Sequence, residues 1–206
     1  MKFRPCFLLL LIIVLTGCLG GSRPATVIQY YYLEYAAPGF TGLVPCPETI
    51  RVERLTTNRA FDSRVMVYSP EPFVFADYPS GRWWVTPADM LTDSLIRDFQ
   101  RAGLFRSVFT FRDPENARFI LEGNVEEFME ISEKEQSLAS LVIRVACVDT
   151  AEKGTAGRIV LQKIYAVREP LRNRTPDALA GAMSAAMEKL SKQIIADVYQ
   201  VLQKPT

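Results

Sequence analysis

Apolar positions recur along this chain with three spacings, and each spacing predicts a different element. Leu91, Leu95, Phe99 and Ala102 fall four, four and three residues apart, with Ile96 beside them. That is one apolar stripe of a helix running from Pro87 to Ala102. Thr86 ahead of it can accept a backbone N–H, Pro87 suits the first helical position, Asp89 sits near the positive end of the dipole, and Gly103 provides a stop. A second stripe, Leu179, Met183, Met187, Leu190, Ile194, Val198 and Val201, predicts a longer amphipathic helix from Pro176 to Gln203, and Thr175-Pro176-Asp177 repeats the Thr-Pro start.

The second spacing is two, the period of a strand with one face buried. Val27 to Tyr35, rich in tyrosine and β-branched residues, predicts a first strand, and the prolines and glycines of 38–47 predict a loop. Ile50 and Val52 alternate with Arg51 and Glu53 in a strand over Thr49 to Leu55. Arg64 to Tyr68 and Phe73 to Ala76 read as a hairpin around Ser69-Pro70-Glu71-Pro72, with a further turn at Pro79-Ser80-Gly81 before Arg82-Trp83-Trp84-Val85. Phe105 to Phe111 is a short strand. Within Arg118 to Ile131 the alternation of Phe119, Leu121, Gly123 and Val125 slips at Glu126-Glu127, which predicts a bulge or a strand that leaves the core. Leu138 to Thr150 and Arg158 to Glu169, joined by a turn within Asp149 to Gly157, complete an antiparallel meander. The fold class expected is α/β (α+β): a mixed, largely antiparallel sheet with two helices on one face and the other face partly open.

The third pattern is unbroken. Phe7 to Leu15 is an apolar run behind Lys2 and Arg4. It is too short to span a bilayer, which needs about 20 residues. A basic start, a short apolar run and small residues before a cut describe an export signal. Leu15-Thr16-Gly17-Cys18 resembles the lipobox of bacterial lipoproteins, and the resemblance implies cleavage ahead of Cys18 and a lipid on that cysteine. The alternative is an ordinary secretory signal with a chance cysteine, but a site of the A-x-A kind is missing. The organisation expected is a leader at 1–17, a lipidated tether at 18–26 with Gly, Ser and Pro but no apolar period, and one domain at 27–206. A single acyl chain binds a membrane only marginally, at about 0.8 kcal/mol per buried methylene. The several chains of a bacterial lipoprotein make release negligible. Leu19 in place of an aspartate implies, by the same resemblance, the outer membrane, facing the periplasm.

Charge and composition narrow the chemistry. The 24 Lys and Arg against 23 Asp and Glu leave no basic stripe for nucleic acid, and loss of Lys2 and Arg4 with the leader turns one net positive charge into one net negative. The chain has no histidine. That excludes a His general base, Ser-His and Cys-His nucleophiles and His-ligated zinc. GxGxxG, Walker and CxxC motifs are also missing, so no catalytic residue, metal or cofactor is expected beyond the covalent lipid on Cys18. The job expected is binding. With Cys6 removed and Cys18 acylated, Cys46 and Cys147 remain. Cys46 lies between Pro45 and Pro47, and Cys147 shares an apolar strand face with Leu141, Ile143 and Val145. In an oxidising periplasm they either pair as a disulfide or stay apart as a buried hydrophobe and an idle thiol.

The lipobox, Tyr31-Tyr32-Leu33, Ile50-Arg51-Val52, Val67-Tyr68, Arg82-Trp83-Trp84 running into Pro87, a Leu-rich helix and an Ala-rich last helix at Ala178 to Leu202 follow one another in this order. In this the chain resembles the ABC-type transport auxiliary lipoprotein family, the PqiC-like lipoproteins that accompany MCE-domain lipid transporters. The doubled tryptophan departs from that pattern, as does the acidic stretch Glu126, Glu127, Glu130, Glu133 and Glu135. The resemblance implies a fold similar to the TolB N-terminal domain. It also implies a non-enzymatic accessory role in a phospholipid or organic-solvent transport system, with an MCE-domain protein and ABC transporter components as partners. An envelope-assembly or cell-wall-synthase-activating lipoprotein, and a periplasmic lipid carrier, are the other readings. Composition leaves the oligomeric state open. Tyr68, Phe73, Phe75, Tyr78, Trp83 and Trp84 are the candidate partner-binding residues, because aromatics supply large contact area. Trp83 and Trp84 are adjacent in a strand and must point to opposite faces. One of them is therefore exposed or covered, by a partner or by a loop.

Overall fold

The computed structural model describes residues 26–134, 136–151 and 158–203. Among them nine strands form one mixed sheet. They are β1 (Gln29–Tyr31), β2 (Cys46–Val52), β3 (Thr56–Thr57), β4 (Val65–Ser69), β5 (Ala76–Trp83), β6 (Phe105–Thr110), β7 (Phe119–Glu133), β8 (Gln136–Asp149) and β9 (Arg158–Pro170), with helices α1 (Pro87–Ala102) and α2 (Pro176–Leu202). Strand β7 organises the rest. One of its edges pairs antiparallel with β8 along its whole length, and β8 with β9. The other edge takes β2, β3 and β4 in turn, all parallel. The sheet therefore forks: β6 extends it beyond β2 at the end where β7 begins, and β5 and then β1 extend it beyond β4 at the other.

Both helices pack on one face. Each starts where its Thr-Pro pair stands. Asp89 N donates to Thr86 Oγ1 at 3.4 Å and Ala178 N to Thr175 Oγ1 at 3.2 Å. Helix α1 ends on Gly103, whose φ of 63° is the left-handed cap that glycine adopts without strain. Leu91, Leu95 and Phe99 of α1, and Met183, Met187, Leu190 and Ile194 of α2, are fully buried against Leu121, Leu141, Ile143, Val145 and Cys147 of the meander. The opposite face carries Glu122, Arg144, Gln162, Ile164 and Arg168 exposed to solvent. The slip at Glu126-Glu127 is a bulge, since the β7–β8 register shifts between Val125 and Glu127.

Four local expectations are corrected. The first strand shortens to Gln29–Tyr31, because Leu33 and Tyr35 leave the sheet to pack on the helices, where Glu34 N donates to Ser184 Oγ at 3.0 Å. The second begins at Cys46 rather than Thr49, paired with Phe105. Phe73 to Phe75 is turn rather than strand, and Pro79-Ser80-Gly81 lies inside β5 rather than forming a turn. Val65 pairs with Arg82 and Val67 with Asp77, so β5 carries surplus residues in a bulge, a place where proline is tolerated. The Cys46–Cys147 bridge is not made, and both thiols are free and buried. Val52, Leu121 and Cys147 sit abreast on β2, β7 and β8. Cys46, six residues before Val52, is thus about 20 Å away along the strand at ~3.3 Å per residue, beyond the ~7 Å reach of a disulfide. Burial lifts the Cys147 thiol to about 12 and raises that of Cys46. The leader, Cys18 and Glu135 lie outside the described residues.

Candidate functional site

The six aromatic residues singled out from sequence divide into buried and exposed sets. Trp83 is buried against Phe128, ring centroids 5.0 Å apart. Tyr78 is buried too, its ring 5.0 Å from that of half-buried Tyr68. Trp83 and Tyr78 hold the hairpin to the core and are closed to solvent, while Tyr68 stays partly exposed beside them. Phe73, Phe75 and Trp84 are exposed at 106%, 58% and 63%. The exposed member of the tryptophan pair is therefore Trp84.

Trp84 closes the sheet edge. Its backbone N–H donates to Tyr31 O at 2.7 Å, which fixes β1 beside β5. Its ring meets Tyr30 edge-on, at 5.8 Å and 88° between planes, and the Arg64 guanidinium lies over the other ring at 5.5 Å from the Tyr30 centroid. Tyr32, two residues on, is also exposed and donates to Glu34 Oε2 at 3.4 Å. An edge strand with unpaired backbone and rigid aromatics is where a peptide or a second sheet can add. Tyr30, Tyr32 and Arg64 were not among the sequence candidates. The parallel pairing of residues near 30 with residues near 82 brings them together, and no local pattern signals it.

Phe73 and Phe75 stand at the far end of the hairpin. The turn is held by Ser69 Oγ donating to Glu71 O at 3.0 Å and by Val74 N donating to the same oxygen at 3.2 Å. Phe73 has a φ of 70°, a left-handed conformation unusual for a non-glycine residue.

Beneath the turn lies a buried polar cluster. The Tyr78 hydroxyl donates to Glu130, whose carboxylate is fully buried, and Arg174 Nε donates to Glu130 Oε1 at 2.9 Å. Burial, then the hydrogen bond to Glu130, raises the Tyr78 hydroxyl above its ordinary range, so it stays a donor. The other described members of the acidic stretch are also occupied. Glu126 pairs with Arg144 at 2.6 Å, Glu133 with Arg168 at 3.0 Å, and Ser140 Oγ donates to Glu127 Oε2 at 2.6 Å. These acids tie strands together across the sheet.

At the opposite end Arg118 bridges Asp149 and Glu48, each at 2.9 Å. The hydrogen bonds from Arg118 hold the Asp149 carboxyl below its ordinary range, with the Ala151 N–H and the Arg118 and Arg158 charges adding to the shift. Among the described residues, no three His, Cys, Asp or Glu side chains are placed to hold a metal ion, and no helix is long and apolar enough to cross a membrane. A cleft of about 680 Å³ is lined by Ser132, Gln136, Arg172, Asn173 and Arg174 among others.

A family model described as ABC-type transport auxiliary lipoprotein component matches residues 33–195. No curated protein matches the chain by sequence. Solved structures of similar fold include a Xanthomonas campestris protein of the DUF330 family, 18% identical, TM-score 0.77, over 85% of this chain and 97% of that one. An uncharacterised protein is 11% identical at a TM-score of 0.65, over 84% and 99%. A hypothetical protein of Chlamydia trachomatis is 11% identical at 0.51, over 76% and 98%. The mixed sheet with two helices on one face is the fold these structures share.

Proposed function

Since the chain belongs to the ABC-type transport auxiliary lipoprotein component family, we propose that it is a non-enzymatic accessory that docks an MCE-domain transport protein at the outer membrane. Its anchor is a lipid on Cys18 behind a cleaved leader. The cargo class is phospholipid or organic solvent. The mechanism is tethering: fixing a weak contact beside a membrane raises its effective concentration, so modest affinity suffices.

The observation that carries this reading is the sheet edge at Trp84. Tyr30, Tyr32, Trp84 and Arg64 gather rigid aromatic area and a cation on a strand edge that no other described strand covers. Interface hot spots are enriched in Trp, Tyr and Arg. The buried carboxylates of Glu130 and Asp149, by contrast, are occupied by Tyr78 and Arg174 and by Arg118.

The test is capture of membrane partners by the detergent-solubilised full chain, followed by titration of the captured MCE-domain protein. Trp84→Ala is expected to weaken binding about tenfold or more, the scale of a hot-spot truncation. Unchanged affinity removes the edge as the contact. Capture of a peptidoglycan synthase with no MCE-domain protein replaces the transport reading with the cell-wall one.

A further inference from the structure

The turn between β4 and β5 is the most exposed apolar feature among the described residues. Phe73 is 106% exposed, Val74 38% and Phe75 58%. Three apolar residues in a row on a turn invite aggregation unless something covers them. The turn is built to hold them out. Pro70 and Pro72 restrict the backbone, Glu71 O accepts two hydrogen bonds across the turn, and Phe73 sits in the left-handed region. Tyr78, Glu130 and Arg174 lock the strand beneath to β7 and to the start of α2. Such a tip does not fold back onto its own body.

Topology says what faces it. β5 runs away from the turn, and β1 is parallel to β5, with Gln29 beside Gly81 and Tyr31 beside Trp83. The chain therefore enters β1 from the end of the sheet where the turn stands. Val27 and Ile28, on that approach, are exposed as well. Cys18 precedes Thr26 by eight residues, which reach about 29 Å at most when extended, at ~3.3–3.6 Å each. Arg172 lines the cleft beside Pro70 at the same end, where a cation can meet anionic headgroups, and Glu71 is the acid on the turn itself.

We infer that Phe73, Val74 and Phe75 dip into the bilayer that carries the N-terminal anchor, and so fix the orientation of the domain on the membrane. The inference rests on the proposed acylation of Cys18. The lipid chains hold the domain at the surface. The aromatic tip, at the ~5–10 Å depth typical of interfacial elements, turns a loose leash into a two-point seat. The Trp84 edge, at the other end of β5, is then held away from the bilayer and faces the periplasm.

The experiment uses the full acylated chain with Val74→Cys, labelled with an environment-sensitive nitrobenzoxadiazole dye; buried Cys46 and Cys147 are shielded from the reagent. The probe membrane is vesicles of phosphatidylethanolamine and phosphatidylglycerol carrying a doxyl lipid labelled near the headgroup. Glu115→Cys, exposed at the end where β7 begins, serves as the distant site. Expected is a blue-shifted emission at position 74 that loses most of its intensity to the doxyl lipid, with neither change at 115. Phe73→Asp combined with Phe75→Asp, both solvent-facing, is expected to abolish the quenching while flotation with vesicles persists. Acylation confirmed by mass, with flotation intact but position 74 as water-exposed as 115, overturns the inference and leaves the anchor standing. A blue shift that needs an added protein partner overturns it too, and makes the tip a protein contact. A chain that is not acylated and does not float sinks both.

Discussion

Replacing Tyr78 by Phe isolates one buried hydrogen bond. The ring stays, and with it the packing against Tyr68; only the hydroxyl that donates to Glu130 is lost. Glu130 is fully buried, and its other donor is Arg174, whose side chain is half exposed at 48%. A hydrogen bond to a buried charge contributes about 1.5–3 kcal/mol net, and removing the donor leaves the carboxylate oxygen without its partner. The half-exposed arginine lets some water reach the site, so the expected loss is about 2 kcal/mol. For a domain of this length that corresponds to a melting point about 4–8 °C lower. Thermal unfolding followed by circular dichroism measures it, on Tyr78→Phe, Glu130→Gln and the double variant. If the bond is as described, the double variant loses less than the sum of the singles, by at least about 0.5 kcal/mol. A change under about 0.5 kcal/mol in Tyr78→Phe, or strict additivity, refutes the cluster as a clamp on the hairpin.

Three further outcomes follow from particular contacts. A Cβ at Gly81 would stand 2.6 Å from Pro176 Cβ and 2.8 Å from Met66 Sδ. Gly81→Ala therefore forces α2 off the β5 bulge and costs about 1–3 kcal/mol in urea unfolding, where an unchanged midpoint would contradict the close approach. Cys46 and Cys147, buried with raised thiol pKa values, are expected to resist iodoacetamide at neutral pH in the folded chain and react fully in guanidinium, as peptide mapping would read. Asp149 has a folded pKa below its unfolded value, so its contribution is complete above the ordinary carboxylate range and disappears as pH falls through the lowered value. Arg118→Met should flatten that acid limb of stability, and an unaltered pH profile would count against the pair.

Local chemistry made the helices readable. Thr86-Pro87 and Thr175-Pro176 each place a capping oxygen and a residue with fixed φ at a start, and the structure begins α1 and α2 at those prolines. The slip at Glu126-Glu127 was readable for a similar reason: strand period is two, and an extra residue shows itself wherever apolar positions change parity. What lies beyond reach of such patterns is pairing across long separations. Parallel neighbours are joined by no tight turn, so nothing near residue 30 announces a partner near 82, and nothing near 50, 56 or 68 announces that three short strands share one edge of β7. The two free cysteines failed as a pair for the same reason. Each sat beside a plausible strand, and only the register puts them far apart.

The doubled tryptophan shows where such reading stops and what the fold adds. Adjacency alone requires that Trp83 and Trp84 face opposite ways. It leaves open which one is buried, because both faces of β5 are candidates until a helix covers one. Helix α2 begins against the bulge at Gly81 and covers the face of β5 that carries Trp83, which then packs on Phe128. Trp84 is left on the other side just as β5 ends, with Tyr31 O bound to its backbone and Tyr30 against its ring. The same bulge that seats the helix therefore determines which tryptophan is left at the surface. The acidic stretch runs the opposite way. Charges that look available in sequence are occupied at Glu126, Glu130 and Glu133 by Arg144, Arg174 and Arg168. The surfaces the fold leaves exposed on the hairpin and its edge are thus aromatic, one at each end of β5. Under the function proposed above, one such surface would fix the attitude of the lipid-anchored chain to the membrane and the other would meet a partner arriving from the periplasm.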